Sequence, residues 1–236
     1  MSKFLDICEQ ASDSSSCVRR AGRLGSIVLL ALATACTFDP QGFTPDGEPG
    51  VLPGQLQTSV FQQGVGYGGT RDTYIDGSSQ SDNLGNLDRL SLALSVATGS
   101  AALVRFEDIF GTEPRQIPPG AMILSAELTL SALDRASGTL AVYEVAVPWS
   151  ENTTWDTFGT QSGIQTPDRG RLLDAQASAG SNLVIDVTDS VDSWAVAPTK
   201  NMGWILEPRS GNVSSMASSE YLDVAQRPKL TVKWML

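Results

Sequence analysis

The residues of this chain that could perform chemistry are mainly carboxylates and hydroxyls, because the sequence contains no histidine. That absence excludes Ser-His-Asp and Cys-His nucleophile systems, histidine general bases and histidine-ligated zinc. No lysine has a serine or threonine three residues before it, so the Ser-x-x-Lys nucleophile pattern is also missing. Glu151 and Asp156 form the nearest carboxylate pair within one loop, but a glycosidase needs two carboxylates across a cleft. We therefore expect no enzyme.

Exposed aromatic rings are the next candidates, because the apolar C–H face of a sugar ring stacks on the electron-rich face of an aromatic ring. Tyr67 in a glycine-rich loop, Trp155 after a polar turn, and Tyr221 are the predicted sugar-binding residues. The other large aromatic residues share a periodic face with aliphatic residues and are predicted to lie in the core: Tyr143, Trp149, Trp194, Trp204 and Trp234.

Two further patterns are candidate sites. A polar groove built from Arg89, Arg105, Glu127 and Thr129 is an alternative binding surface, and a solvated sheet face explains the same four residues. Gly64-x-Gly66-x-x-Gly69 matches a dinucleotide fingerprint, but no strand–turn–helix unit surrounds it, so we interpret it as a loop.

A cluster of oxygen ligands lies in a Gly/Ser-rich segment and comprises Asp76, Asp82, Asn83 and Asp88. Calcium takes six to eight such ligands, so a structural calcium ion is a hypothesis for this segment. Turn formation by Asp and Asn is the alternative, and we predict no other cofactor.

Charge and cysteine usage narrow the partners and the compartment. The net charge is −10, so the chain lacks the basic footprint of a nucleic-acid-binding protein. It should not dock on anionic lipid by charge alone. All three cysteines, Cys8, Cys17 and Cys36, fall in the first 36 residues, so the remainder has no thiol, disulfide or thiolate metal site.

The N-terminal region is predicted to direct export. Arginines precede a short apolar run that ends in Leu32-Ala33-Thr34-Ala35-Cys36, which resembles a lipobox. We predict a signal peptide over residues 1–35, lipid attachment at Cys36, and a Pro/Gly-rich tether over residues 36–57. Thr37 after the cysteine favours a location at the outer membrane or cell surface. We expect the protein to contact the membrane through its lipid anchor only. An ordinary signal peptide cut after Ala35 is the alternative.

Residues 58–236 show the period-two alternation of β-strands, over segments 89–96, 102–107, 125–133, 139–147 and 229–234. Each is expected to have one buried and one wet face, and Ser137-Gly138 is the predicted turn before the fourth segment. Val187, Val191 and Trp194 lie at helical spacing, with Thr188 or Asp189 as the cap. We predict an all-β, two-layer antiparallel sandwich, jelly-roll-like, with one short helix.

The order of motifs over residues 58–235 resembles the DNRLRE domain, a disaggregatase-related module of secreted proteins. The resemblance rests on Asp72-Thr73-Tyr74-Ile75, Asp82-Asn83-Leu84-Gly85, Leu103-Val104-Arg105-Phe106, Ile117-Pro118-Pro119-Gly120, Ile185-Asp186-Val187-Thr188 and Arg227-Pro228-Lys229-Leu230. It implies a β-sandwich like those of cell-surface proteins and polysaccharide-degrading enzymes, some of which bind acidic polysaccharides such as alginate.

Together these patterns predict a non-catalytic, lipid-anchored surface module that binds a polysaccharide or another cell-envelope polymer. A structural or adhesive envelope protein with a protein partner is the alternative, and a polysaccharide-degrading enzyme ranks third.

Overall fold

The computed structural model describes residues 54–95, 98–134, 137–177, 182–212 and 215–236. The predicted signal peptide, Cys36 and almost all of the predicted tether lie outside these residues. Within them, no helix is long and apolar enough to cross a membrane.

The described residues form eleven strands and one α-helix, in the order β1 (Gln57–Gln62), β2 (Thr70–Asp76), β3 (Arg89–Leu90), β4 (Ser100–Phe106), β5 (Met122–Ser131), β6 (Ser137–Val145), β7 (Arg169–Ala177), β8 (Asn182–Asp186), α1 (Thr188–Val196), β9 (Trp204–Asn212), β10 (Met216–Ala217) and β11 (Lys229–Met235). Three single-turn 3-10 helices lie in the connections at Thr166–Asp168, Pro198–Lys200 and Val224–Gln226.

The strands form two main sheets that face each other. One has four strands in the order β1-β11-β5-β8, the other has five in the order β2-β4-β9-β6-β7, and the short strands β10 and β3 pair separately. All of these pairings are antiparallel. The predicted all-β antiparallel sandwich with a single α-helix is therefore confirmed.

The main core lies between the two sheets, where alternate residues of each strand point inward. On the four-stranded sheet, Leu230 of β11 pairs with Leu128 of β5, which pairs with Ile185 of β8, and all three are fully buried. Trp194 of α1 packs on Trp204 of β9 with ring centroids 4.9 Å apart. Burying each such side chain stabilises the fold by about 1.5–3 kcal/mol before the entropy cost is subtracted.

The five-stranded sheet is also buried on part of its outer face. The long connection between β6 and β7 (residues 146–168) folds back over the sheet and places Trp149 and Phe158 there. They pack with a second apolar cluster that includes Leu103 of β4 and Ile205 of β9, both fully buried. The expectation of one wet face per strand is therefore wrong for β4, because a distant segment covers its outer face.

Other predicted boundaries are also corrected. The strand predicted at 89–96 is a two-residue strand, β3, and Leu94 is 53% exposed because the chain leaves the sheet there. Ser137 and Gly138 are the first residues of β6 rather than a turn.

The helix forms where it was predicted, but with a different cap. Val187 is the N-cap and provides no side-chain hydrogen bond. Asp186 Oδ1 instead accepts hydrogen bonds from the Thr188 backbone N–H (2.9 Å) and hydroxyl (2.6 Å). The Thr188 hydroxyl oxygen accepts the Ala126 backbone N–H, so this side chain links the helix to β5.

Candidate functional site

A groove of about 310 Å³ opens on the outer face of the five-stranded sheet. We call it the Trp155 groove. Its volume falls at the lower end of the roughly 300–1,000 Å³ typical of small-molecule sites. Its lining comes from β4, β7, β9, the β6–β7 connection and the chain before β4: Ala93, Leu94, Ser95, Gly99, Ser100, Ala101, Trp155, Gly163, Ile164, Gln165, Arg169, Glu207 and Pro208.

The floor of the Trp155 groove is charged. Arg169 Nε of β7 lies 2.6 Å from Glu207 Oε1 of β9, and Arg209 Nη2 lies 3.3 Å from Glu207 Oε2. Glu207 is nearly buried, whereas the Arg209 side chain is well exposed. Glu207 is the only carboxylate among the lining residues, and two guanidinium groups hold it. The floor is thus a fixed set of donors and acceptors rather than a pair of opposed carboxylates.

Tyr143 of β6 keeps this network in place beside the groove. The guanidinium carbons of Arg169 and Arg209 lie 5.8 Å and 5.4 Å from its ring centre, and Arg209 also donates a hydrogen bond to its hydroxyl oxygen. Cation–π contacts of this kind contribute about 0.5–1 kcal/mol each at partly exposed sites. Tyr143 was predicted to lie in the core, but it is half-buried on the outer face, since two arginines rather than aliphatic residues surround it.

Trp155 forms one wall of the groove. Its ring is half-buried and packs against the second apolar cluster. Its carbonyl oxygen accepts the Gly163 N–H at 2.7 Å, which closes a turn beneath the ring. A Cβ on Gly163 would lie 2.6 Å from Trp155 Cζ2, and the Gly163 φ of +78° is in the left-handed region. Only glycine fits there without strain, so the turn fixes the position of the indole.

The opposite wall is the segment of chain that precedes β4. Ser100 holds it, because its hydroxyl oxygen accepts the Ala93 backbone N–H (2.8 Å) and its hydroxyl donates to the Ser91 carbonyl oxygen (3.0 Å). These two bonds leave the Leu94 side chain projecting into solvent beside the groove. The groove therefore has two apolar walls, one aromatic and one aliphatic, above a charged floor.

The other two predicted sugar-binding residues lie elsewhere. The ring of Tyr67 packs on Phe61 and Phe106, with ring centroids 5.2 Å and 6.3 Å away, and its hydroxyl donates to the Glu107 carbonyl oxygen at 2.6 Å. Burial, with smaller contributions from Asp108 and Glu107, raises the pKa of Tyr67 above its ordinary value. Tyr221 is half-buried in the chain that joins β10 to β11. Neither residue lines the Trp155 groove.

The alternative polar groove is not formed. Glu127 and Thr129 lie on β5 of the four-stranded sheet, whereas Arg105 lies on β4 of the five-stranded sheet and Arg89 on β3. Arg105 pairs with Glu107, and its guanidinium carbon lies 5.1 Å from the centre of the Trp149 ring. A shared polar face was predicted from strand parity alone, and parity does not specify which sheet a strand joins.

Three of the four predicted calcium ligands make local contacts. Asp76 Oδ1 accepts two hydrogen bonds from Ser78, Asn83 Oδ1 accepts the Gly85 N–H, and Asp88 pairs with Arg89. Among the described residues there is no group of three or more carboxylate, cysteine or histidine side chains able to hold a metal ion. The glycine fingerprint at residues 64–69 leads directly into β2 and not into a helix.

The predicted carboxylate pair is not assembled as a cleft. Asp156 is exposed and accepts a hydrogen bond from Ser162, whereas Glu151 is half-buried beside a different acid. Burial raises the pKa of Glu151, Arg71 opposes this rise, and Glu220 adds to it.

The sequence pattern predicted Trp155 and missed the residues that complete the groove. Arg169, Glu207 and Leu94 come from parts of the chain that are far apart, and none belongs to a recognisable motif. The sequence contained one signal, because Arg169 and Glu207 are charged residues that lie within strands of the sheet.

No protein-family model matches this chain, and no curated protein is significantly similar to it.

Proposed function

We propose that this protein is a non-catalytic module that binds polysaccharide in the Trp155 groove. The observation that carries the proposal is the groove itself, in which an aromatic wall and an exposed leucine stand above a floor of paired Arg169 and Glu207. Apolar walls suit the C–H faces of sugar rings, and fixed charged donors and acceptors suit their hydroxyl groups. The fold brings Trp155, which was predicted from the sequence, into a groove that also contains the polar side chains of Arg169 and Glu207.

The wider part of the proposal concerns location. A signal peptide over residues 1–35 and lipid attachment at Cys36 would place the module on the outer membrane or cell surface, where polysaccharides are the abundant polymers. The support for this part is the lipobox-like sequence before Cys36 and the basic residues that precede it.

The first experiment is a thermal-shift and glycan-array screen of the purified chain, with and without Ca²⁺. A ligand that binds only the folded state stabilises it by about 2.7 kcal/mol at a hundredfold excess over Kd. We expect a reproducible rise in melting temperature with one class of glycan. A flat response across the array from a well-folded sample contradicts the proposal.

Two leucine variants locate the binding site. Leu94 and Leu172 are both 53% exposed, but only Leu94 lines the Trp155 groove. Leu94→Ser should weaken glycan binding by about 1 kcal/mol, roughly fivefold in Kd, and Leu172→Ser should leave it unchanged. Trp155→Ala should weaken binding further, with circular dichroism as the check on folding. Equal effects of the two leucine variants would place the ligand outside the groove.

A second candidate is the adhesive role, in which the partner is a protein. The observation that favours it is the outer face of the four-stranded sheet, where Val60, Met122, Leu124 and Val184 are all exposed. If the glycan screen is flat, this face becomes the surface to test by cross-linking in the intact envelope.

A further inference from the structure

The buried carboxyl group of Asp72 does not line the Trp155 groove and has no role in the proposed function. Asp72 is fully buried on β2, at the edge of the five-stranded sheet. Its side chain points toward the space between the sheets, because its register partner on β4 is the core residue Val104. A carboxyl group in such a place is unusual, since an unpaired buried charge costs several kcal/mol.

The hydrogen bonds of Asp72 are incomplete. Its Oδ2 accepts the Ser219 backbone N–H at 2.8 Å, while its Oδ1 is buried and has no hydrogen-bond partner. Thr70 Oγ1, two residues earlier on the same face of β2, is also buried without a partner. An ionised carboxylate in this setting would share its charge between an oxygen with one hydrogen bond and an oxygen with none, whereas the uncharged acid avoids the cost of that buried charge.

The charges around Asp72 favour the uncharged acid as well. The charged groups that face it are both acidic: Glu220 from the segment between β10 and β11, and Glu151 from the β6–β7 connection. Ser219 links two of the acids, because its N–H donates to Asp72 and its hydroxyl donates to Glu220 Oε1 at 2.8 Å. Arg71 points to the opposite sheet face and pairs with Glu107. Burial first, and Glu220 second, raise the pKa of Asp72 well above its ordinary value of 3.8.

The chain that buries Asp72 is residues 218–227, which we call the 218–227 cover. It is attached near its ends, where the Ser218 hydroxyl donates to the Leu87 carbonyl oxygen (2.7 Å) and the Gln62 amide donates to the Arg227 carbonyl oxygen (2.9 Å). Between these points it contains Tyr221, exposed Leu222 and one 3-10 turn, Val224–Gln226. A segment with few buried apolar side chains opens locally at low free-energy cost.

A divalent cation is the other way to accommodate buried acids, but the described residues do not form such a site. Asp72, Glu151 and Glu220 do not converge as a metal-holding group. A proton on Asp72 requires no additional ligand.

We propose that Asp72 is a proton-controlled switch: its uncharged carboxyl group holds the 218–227 cover closed on the edge of β2, and loss of the proton releases the cover. In the released state the carboxylate is solvated and titrates at its ordinary pKa. Because the closed state binds one more proton, the released fraction rises by up to about tenfold per pH unit above about pH 4, until Asp72 ionises in the closed state too. The switch is independent of whether the Trp155 groove binds sugar.

Hydrogen–deuterium exchange of the full chain at several pH values, corrected for intrinsic exchange rates, tests the switch. Protection of amides in residues 218–227 should fall by up to about tenfold per pH unit, while amides of β4 keep theirs. Asp72→Asn mimics the uncharged acid and should remove this dependence. Glu220→Gln should end the dependence at a lower pH, since removing the neighbouring charge lowers the pKa of Asp72 in the closed state. Glu113→Gln removes an exposed carboxylate at a remote site and should behave as the wild type.

Four results would overturn the proposal. One is protection in residues 218–227 that does not change with pH in the wild type, and another is an unchanged pH dependence in Asp72→Asn or Glu220→Gln. A third is an equal loss of protection in β4, which would mean that the whole domain loosens. The fourth is loss of the pH dependence on adding Ca²⁺, which would identify a cation site rather than a proton switch.

Discussion

The two sheets of this sandwich present very different outer faces. On the four-stranded sheet the outer face is open, and side chains such as Val60, Lys233 and Val184 stand in solvent between polar neighbours. On the five-stranded sheet the β6–β7 connection covers part of the outer face with Trp149 and Phe158, and the Trp155 groove lies at the border of that covered part.

The comparison shows how a β-sandwich acquires a groove. An open sheet face is flat and needs only alternating side chains, so it has no concave surface of its own. A long connection that packs on such a face adds a second apolar cluster and, where it stops, leaves a step. The groove is that step, with the connection as one wall and the sheet as the floor.

The largest expected effect comes from breaking the second cluster. Phe158→Ala should cost about 3–5 kcal/mol of unfolding free energy, because the ring is fully buried between the connection and the sheet. Urea denaturation followed by circular dichroism measures it. A loss below about 1 kcal/mol would mean that the connection adds little core and that the two outer faces differ less than described.

A smaller effect is expected at the turn beneath Trp155. Gly163→Ala should cost about 1–3 kcal/mol, because it combines a positive φ with a contact on the indole. Gly120→Ala is the matched control, since Gly120 has a φ of +85° but nothing within 4 Å of its added Cβ. Denaturant unfolding and tryptophan emission compare the two. If both variants lose the same stability, the indole contact contributes nothing beyond the backbone strain.

The third prediction concerns Asp186 at the end of β8, on the four-stranded sheet. Asp186→Ala should cost about 1 kcal/mol near neutral pH, because two hydrogen bonds to Thr188 at the helix start are lost. Those bonds lower the pKa of Asp186, so its contribution is present above the ordinary value of 3.8 and is lost as pH falls through the lowered pKa. Unfolding free energies of variant and wild type should therefore converge in acid.

The pH dependence of stability has the opposite sign at Asp72, because the pKa of Asp72 is raised. Its neutral form stabilises the fold at low pH, and this contribution is lost as pH rises. A difference between wild type and Asp186→Ala that persists unchanged below the ordinary pKa would contradict this role of the two hydrogen bonds to Thr188.

The smallest effect is expected on the open face. Val184→Thr should change the unfolding free energy by less than about 0.5 kcal/mol, because the side chain is 48% exposed and touches no second layer. Chemical denaturation of Val184→Thr and Phe158→Ala under the same conditions compares their unfolding free energies directly. A large loss here would indicate that another part of the protein covers this face.

The elements that the sequence predicted well are those with a strict local period. The inward residues of β11, and those of β5 from Ala126 to Leu130, alternate cleanly, and the stripe of Val187, Val191 and Trp194 lies on the buried side of α1. The outer cluster was missed, although the run from Ala101 to Val104 carries apolar residues on both faces of β4, as strands buried on both sides do. Trp155 was predicted as a candidate, but Arg169 and Glu207, which line the same groove, were not, because no local sequence pattern links them to it.

By itself, the sequence determined the class of the domain and the inward face of most strands, because period-two alternation is a local property of the chain. Only the tertiary structure decided which faces are covered, which residues surround Trp155, and that the buried Asp72 carboxyl group accepts a hydrogen bond from Ser219, 147 positions away. The physical reason is that burial and charge proximity depend on contacts between distant segments, and those contacts exist only once the chain has folded.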